Sequence, residues 1–352
     1  MVQLIKSTYL NEDDYYTEAY MTHNVQNLTW YLESLSKEEL KDICRNFDIK
    51  GFSSKNKDEL IELIQSTYFK DDQLLTRLLQ ELSSDYKLIF YELAVSDDET
   101  VRFNRDIPDT LFLFYPEADE HLVIPKDVKK HFKQFIETHP DINSDIQLIE
   151  FYHSAFNLYG FVSLKQLAKL QYKYKGLQKD EQTIKEEITR LLPEYKDLIQ
   201  HRSVKHRDLA QVNLNMKALT HGKKYYEPAT ESEFLNYKDP YFTEPSEAIE
   251  ALRTLLDKMV TDQYEGTYTA QLIMDTIIFG LRANDTPEFI LKHIQQIENS
   301  GFLKVENRIL PEYIERAIID TRLWSLNGHK PQQKKERKVV QVKQKKKKRK
   351  KK

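Results

Sequence analysis

The sequence predicts a mainly α protein made of several helical domains. Apolar residues recur three and four positions apart through most of the 352 residues, which is the pattern of a helix with one buried face. Only 8 residues are glycine and 31% are charged, a composition that favours surface helices around compact cores. Because a chain of this length exceeds the usual single domain, we expect two or three compact units.

The first predicted module covers residues 32–65. Ser36 with Glu39 has the spacing of a capping box, and Asn56 with Glu59 offers a second cap. Apolar residues at helical spacing follow each cap. The pattern therefore predicts two short helices joined by an extended connection.

The residues of this module resemble a known family. The stretch from Leu40 to Ile61, with Ile49, Lys57 and Glu59 inside it, is similar to the small N-terminal helix-extension-helix domain of transcription termination factor Rho and to the related SAP module. Both kinds of module are associated with nucleic-acid factors. The resemblance implies a module that contacts RNA or DNA, with a link to transcription termination or RNA metabolism.

The next elements are predicted from changes in the hydrophobic period. Residues 73–95 carry leucines at helical spacing and predict a helical pair that completes the core of the module. Two β-prone runs, 110–115 and 121–124, flank a turn at Pro116 and predict a two-stranded hairpin. A helix is expected over residues 126–138.

Residues 141–210 predict three helices. The first is expected over 144–158, the second begins at a capping residue, Ser163, and the third covers 180–192. This order resembles a winged-helix or helix-turn-helix core, in which the third helix reads a DNA groove. Residues 179–190 hold four acids and three bases. We therefore expect phosphates to be repelled there and favour packing or protein contact as the role of the winged-helix-like unit, with DNA reading by the third helix as the less favoured alternative.

The remainder of the body is predicted to be a linker, rich in Pro and Tyr, followed by a helical domain. Helices are expected over 246–262, 268–282, 286–299 and 311–320. Residues 319–331 resemble the segment before the zinc-binding SEC-C motif of bacterial proteins, but the cysteines of that motif are missing. That resemblance implies a bacterial origin and no zinc site. The predicted domains are a leader (1–30), the module with its helical pair (31–98), the hairpin and helix (99–140), the winged-helix-like unit (141–210), the linker (211–245), a C-terminal helical domain (246–330) and a polybasic tail (331–352).

The sequence contains no recognisable motif for catalysis or for cofactor binding. The closest two glycines are fourteen positions apart, too far for a phosphate-binding loop. The one cysteine, Cys44, is expected to be a small buried residue. His201, His206 and Asp208 lie among Arg and Lys, whose charge opposes a bound cation, so we expect a solvated basic segment. We predict a non-enzymatic binding protein without a metal or cofactor.

Charge is distributed unevenly along the chain. Residues 334–352 hold thirteen Lys and Arg and one Glu, a net charge of +12, whereas the remaining residues hold forty Lys and Arg against fifty-five Asp and Glu, a net charge of −15. Such a tail buries no apolar surface and is expected to be disordered. The chain has no apolar run of membrane-spanning length and no secretory signal, so we expect a cytoplasmic location and no membrane partner.

These observations lead to two hypotheses. In the first, the protein binds RNA or DNA without sequence preference and with steep salt dependence. In the alternative, the acidic body is a scaffold that docks on a protein partner in the transcription or translation machinery, and the basic tail solubilises or modulates it. The cations expected to contact nucleic acid are Lys41, Arg45, Lys50, Lys55 and Lys57 in the module, and Lys345, Lys346, Lys347, Lys348, Arg349, Lys350, Lys351 and Lys352 in the tail.

Overall fold

The computed structural model is mainly α, as the sequence predicts. The chain divides into two compact units, residues 1–147 and residues 148–352. No helix in the described part of the chain is long and apolar enough to cross a membrane. The structure describes residues 25–96, 100–102, 115–117, 121–211, 215–261, 268–283, 286–299, 304–305 and 309–331.

In the first unit the described residues form helices and one small antiparallel sheet, in which the strands lie in the order β1–β3–β2. The helix α7 begins in this unit and ends in the second. The elements are α1 (Leu28–Glu33), α2 (Lys37–Asn46), α3 (Lys57–Lys70), α4 (Asp72–Glu81), α5 (Ser84–Val95), β1 (Thr100–Arg102), β2 (Tyr115–Glu117), β3 (His121–Val123), α6 (Lys126–Thr138) and α7 (Pro140–Tyr159).

Both predicted caps of the helix-connection-helix module are formed. The Ser36 hydroxyl accepts a hydrogen bond from the Glu39 amide at 3.3 Å, and the Glu39 carboxylate accepts one from the Ser36 amide at 2.6 Å. Asn56 and Glu59 exchange the same pair of bonds, at 2.9 and 2.7 Å. These bonds satisfy amides that the first turn of each helix leaves unpaired, so they fix where α2 and α3 begin.

The core of the first unit is larger than the module. Cys44 is fully buried, as predicted, and burial raises its thiol pKa to about 11. Helices α4 and α5 coincide with the predicted helical pair and contribute buried residues to the same cluster. Val25 and Leu28 are buried there too, and the Leu28 amide donates to the Asp127 carboxylate at 2.9 Å. The end of the predicted leader is therefore part of this core.

The sheet of the first unit differs from the predicted hairpin. Strand β3 matches the second predicted run, but β2 overlaps the first predicted run only at Tyr115, and β1 pairs with the other side of β3. Pro116 lies inside β2 and not in a turn, and residues 110–114 lie outside the described part. Among the described residues β2 is an edge strand, a position where proline is tolerated because one side of the strand has no ladder. The helix after the sheet spans the predicted residues 126–138.

The second unit begins within α7, and its described residues form two small sheets. The first has the strand order β4–β6–β5, and the second pairs β7 with β8. The elements are β4 (Phe161–Ser163), α8 (Leu164–Lys175), α9 (Glu181–Leu191), β5 (Ile199–Gln200), β6 (Ser203–Lys205), α10 (Met216–Thr220), α11 (Glu231–Leu235), α12 (Glu247–Met259), β7 (Val260–Thr261), α13 (Tyr268–Ala283), α14 (Pro287–Asn299), β8 (Lys304–Val305) and α15 (Leu310–Asp320).

Local sequence signals set the helix bounds in the first part of this unit. The Ser163 hydroxyl caps α8 by accepting from the Gln166 amide at 3.1 Å. Gly176 ends α8 in the left-handed conformation, with φ of 67°, and the Asp180 carboxylate caps α9. The resulting order is helix, strand, helix, helix, strand, strand.

Residues 215–245 are a folded part of the second unit and not the expected linker. The Asn157 side-chain amide donates to the carbonyls of Tyr237 and Lys238, at 2.9 and 3.0 Å. The Tyr159 hydroxyl donates to the Tyr226 carbonyl at 2.6 Å, and Phe234 is fully buried. These contacts attach the segment to α7, and the predicted domain 246–330 belongs to the same unit as residues 148–210 of the predicted winged-helix-like domain.

The 321–331 segment also packs against the end of α7. Trp324 is buried, and its indole N–H donates to the Asn157 carbonyl at 2.8 Å. Gly160 follows α7 with φ of 63°, and a Cβ atom at that position would lie 2.3 Å from the Trp324 ring. Glycine at this position therefore permits both the turn after α7 and the close approach of the tryptophan.

Candidate nucleic-acid interface

Four of the five predicted cations of the first unit have acceptors within it. The Lys41 ammonium lies 2.7 Å from the Glu38 carboxylate, Arg45 pairs with Asp42, and Lys50 pairs with Asp48. Hydrogen bonds from Lys41 and Lys50 lower the pKa values of their carboxylate partners. Such exposed pairs are weak, so they do not prevent contact with phosphate, but they offset much of the positive charge.

Lys57 is the fourth of these cations, and its acceptor is a backbone carbonyl instead of a carboxylate. The Lys57 ammonium donates to the Glu33 carbonyl at 2.7 Å, and Lys55 is half-buried in the connection between α2 and α3. The tail cations, residues 345–352, lie outside the described part. Across residues 25–96 there are nine Lys and Arg against thirteen Asp and Glu. The described surface around the module is therefore acidic on balance.

The second unit contains a basic turn that was not among the binding residues predicted from the sequence. His201 and Arg202, which we call the basic turn, connect β5 to β6, and Gln200 faces Ser203 across it. Both turn residues have positive φ angles, 46° and 66°, and both side chains are exposed. Two-residue hairpin turns of this kind strongly favour Asn-Gly, because a side chain in the left-handed region costs roughly 1 kcal/mol or more.

Arg202 forms a bidentate ion pair with the first residue of α9. Its Nε donates to one oxygen of the Glu181 carboxylate at 2.6 Å, and Nη2 donates to the other oxygen. The hydrogen bonds from Arg202 lower the pKa of Glu181, and the carboxylate raises the pKa of Arg202. The Arg202 side chain remains 77% exposed, so the guanidinium is accessible from solvent.

A groove lies between the basic turn and the N-terminal ends of α8 and α9. Its volume is about 610 Å³. The positive ends of two helix dipoles and three cations lie around it together with the carboxylates of Asp180 and Glu181, so the groove has a small excess of positive charge. The charged and titratable residues that line it are Lys165, Lys179, Asp180, Glu181, His201 and Arg202.

The acids of α9 are less available to repel phosphate than the sequence indicates. The Glu187 carboxylate accepts from the Tyr152 hydroxyl at 2.6 Å and pairs with Lys179, and it is only 16% exposed. Asp180 caps the helix, and Glu181 is paired with Arg202. Among the described residues, Asp180 and Glu186 are exposed and pair with no cation, but the Asp180 carboxylate accepts from the amide and hydroxyl of Thr183. The charge count could not reveal this, because it does not show which carboxylates point inward.

The charge balance of residues 148–211 is opposite to that of the first unit. This fully described stretch holds eleven Lys and Arg against eight Asp and Glu. Two short β-prone runs on either side of His201 and Arg202 were the available sequence signal for the basic turn. This signal was not used, because residues 201–208 were predicted to be a solvated basic segment and not part of a strand pair.

His206 is not part of a solvated segment. It is 3% exposed, its Nε2 lies 3.0 Å from the Asn157 side-chain oxygen, and its ring centroid lies 4.9 Å from that of Trp324. Its neighbour Asp208 is exposed. Among the described residues, no group of three or more His, Cys, Asp or Glu side chains is arranged to hold a metal ion.

Comparison of the chain with protein-family models, with curated proteins and with solved structures gives no match.

Proposed function

We propose that the protein is a nucleic-acid-associated binding protein whose second unit contacts the phosphate backbone through α9 and the basic turn. The order helix, strand, helix, helix, strand, strand, with the sheet order β4–β6–β5, supports a winged-helix-like interpretation of residues 140–205. In the related helix-turn-helix proteins, a helix enters the groove of DNA and neighbouring elements contact the backbone. The exposed Lys185 of α9 and the basic turn would have these roles here.

The observation that carries the proposal is the left-handed conformation of His201 and Arg202. A turn selected for stability alone would favour Asn-Gly at these two positions. Conformations that cost free energy are concentrated at functional sites, where the side chain is needed for another purpose. Two exposed, nitrogen-bearing side chains beside the N-terminal end of α9 fit contact with an anionic backbone.

The predicted cations of the first unit and the tail add to this proposal. Lys41, Arg45, Lys50, Lys55 and Lys57 would guide the Rho-like module onto nucleic acid. The twelve net charges of residues 334–352 would supply most of the non-specific, salt-dependent affinity. The basic turn would add contacts that depend on the geometry of the duplex.

A binding experiment separates these contributions. We expect removal of residues after Pro331 to weaken binding to labelled duplex DNA or single-stranded RNA, measured by fluorescence anisotropy, and to reduce its salt dependence. This end point retains Lys330, whose ammonium lies 2.8 Å from the Glu244 carboxylate. Arg202→Ala in the shortened chain should weaken the remaining binding roughly threefold to tenfold.

The control for Arg202 is Arg316, an exposed arginine of α15 that also pairs with a carboxylate, that of Glu312. Arg316→Ala should leave the affinity within about twofold of the unsubstituted chain, since less than 0.5 kcal/mol is at stake at an unrelated surface site. Equal losses for the two variants, or no binding of any nucleic acid by the shortened chain, would contradict the role of the basic turn.

A protein-binding role for the first unit is the second candidate. Trp30 on α1 is 57% exposed, and the surrounding stretch is acidic on balance. Tryptophan is among the residues that contribute most to protein interfaces. If the first unit is a scaffold, a partner recovered with the full chain should survive nuclease treatment and be lost on Trp30→Ala. Loss of the partner on nuclease treatment alone would favour the nucleic-acid role.

A further inference from the structure

We infer that Glu181 is an intramolecular competitor of nucleic acid for Arg202 and thereby sets the affinity and selectivity of the interface. This inference rests on the proposed function. Glu181 presents two oxygens to Nε and Nη2 of Arg202, which is the arrangement in which a guanidinium also binds a phosphate. A backbone phosphate that binds Arg202 in this way must first displace Glu181.

The exchange is energetically accessible because the pair is on the surface. The side chain of Arg202 is 77% exposed, and that of Glu181 is 24% exposed. Exposed ion pairs contribute little free energy in water, so a ligand with several phosphates can break the pair and take the place of Glu181 at Arg202. A ligand that offers a single weak contact gains little from the exchange. Glu181 would therefore select against isolated anions in favour of an extended polyanion.

Displacement of the Arg202 side chain leaves its backbone in place. The Arg202 carbonyl accepts from the Leu164 amide at 2.9 Å, and Ser203 pairs with both Ser163 and Gln200 in the sheet. These bonds do not involve the guanidinium. The turn can therefore keep its conformation while Arg202 changes partners, and substitution of Glu181 should not unfold it.

Glu181 also opposes binding after it has released Arg202. It is the first residue of α9, where the positive end of the helix dipole stabilises a carboxylate. The negative charge then remains at the groove and repels an incoming phosphate. Replacing Glu181 by glutamine removes both effects, the competition and the repulsion, whereas replacing an acid elsewhere on α9 removes only repulsion.

The matched control is Glu186, an exposed acid on the same helix that accepts a hydrogen bond from the Gln182 side chain at 2.7 Å and has no cation beside it among the described residues. The full chain, Glu181→Gln, Glu186→Gln, Arg202→Ala and the double variant E181Q/R202A would be titrated into labelled duplex DNA at fixed salt. Circular dichroism and thermal midpoints would establish that each variant is folded.

We expect Glu181→Gln to tighten binding about threefold to tenfold and Glu186→Gln less than about twofold. In the Arg202→Ala background, the gain from Glu181→Gln should fall to that of Glu186→Gln. If Glu181→Gln and Glu186→Gln raised the affinity equally, or if Glu181→Gln raised it fully in the absence of Arg202, the competitor role of Glu181 would be wrong. The proposed function would not be affected by either result. If the unsubstituted chain bound no nucleic acid, the proposed function and this inference would both be wrong.

Discussion

His201 and Arg202 illustrate how single residues depart from what local structure favours. The two-residue turn between β5 and β6 requires a left-handed backbone at both positions, and asparagine and glycine adopt it with the least strain. A histidine and an arginine stand there instead. The strain is tolerated because the strand pairs on both sides and the Leu164 amide hold the turn.

Substitution of both residues should have opposite effects on stability and on binding. The double variant H201N/R202G is expected to raise the free energy of unfolding by about 1 kcal/mol, because the strained side chains are removed, and to weaken binding to duplex DNA. Thermal or urea unfolding measures the first effect and anisotropy the second. His201→Asn alone should stabilise the chain and weaken binding less than the double variant does. A destabilised double variant would contradict the strain argument.

Gly160 and the 321–331 segment determine how the elements of the second unit meet. Gly160 follows the last residue of α7, and its carbonyl accepts from the His206 amide at 2.7 Å. The Trp324 ring lies against the same glycine. Helix α7, the residues after β6 and the 321–331 segment therefore converge at one glycine, and a side chain at this position would separate them.

We expect Gly160→Ala to lower the free energy of unfolding by about 3 kcal/mol, since it combines a strained left-handed backbone with overlap with the Trp324 ring. Gly176→Ala is the control: its φ is 67°, but a Cβ there would meet no atom within 4 Å. The control should cost only about 1 kcal/mol, the strain alone. Urea unfolding of both variants measures the difference, and equal losses would exclude a packing role for Gly160.

Across the second unit as a whole, Glu244 connects residues that are far apart in the sequence. It accepts from the Arg322 guanidinium and the Tyr237 hydroxyl, at 2.6 and 2.9 Å, and pairs with Lys330. The Arg322 guanidinium also lies 3.3 Å above the Tyr226 ring. Burial by itself would raise the pKa of Glu244, but hydrogen bonds and charge from Lys330 and Arg322 outweigh it and lower the pKa.

This network predicts how stability depends on pH. Because the pKa of Glu244 is lower in the folded than in the unfolded chain, its contribution is complete above the unfolded pKa, about 4.3, and is lost as the pH falls through the folded value. Glu244→Gln should therefore cost about 2 kcal/mol at neutral pH and progressively less below about pH 4. Denaturant unfolding at several pH values measures this.

Glu312→Gln provides the comparison for Glu244. Glu312 forms an exposed pair with Arg316 one helical turn away, and both side chains are more than half exposed. The variant should change stability by less than about 0.5 kcal/mol at any pH, since exposed pairs of this spacing are weak. A loss for Glu244→Gln that does not diminish in acid would indicate that packing, and not ionisation, explains its effect.

The fold was predictable where local signals determine it. The Ser36, Asn56 and Ser163 caps, the left-handed Gly176 and the apolar periodicity locate α2, α3, α8 and the start of α9 within one or two residues. Burial of Cys44 followed from its place on an apolar face. Each of these features depends on residues within about four positions of one another, so a linear sequence contains the information needed.

The candidate site and the linker were not predictable in the same way. Residues 215–245 are rich in Pro and Tyr and polar enough to suggest a linker, yet Asn157, on α7, hydrogen-bonds to two of their carbonyls. Likewise, the charge count on α9 could not show that Glu187 is turned toward Tyr152. Partners some 80 and 35 positions apart meet only when the chain folds, and composition does not contain that information.

The sequence by itself therefore determined the helical class, the helix ends and the strong charge asymmetry of this protein, because these follow from short-range hydrogen bonds, periodicity and counting. Only the tertiary structure decided which charges are paired. It placed Arg202, which lies in the left-handed turn, against Glu181 and buried His206 beside Trp324. The physical reason is that pairing and burial depend on distance in space, and loop closure brings together residues that no local pattern relates.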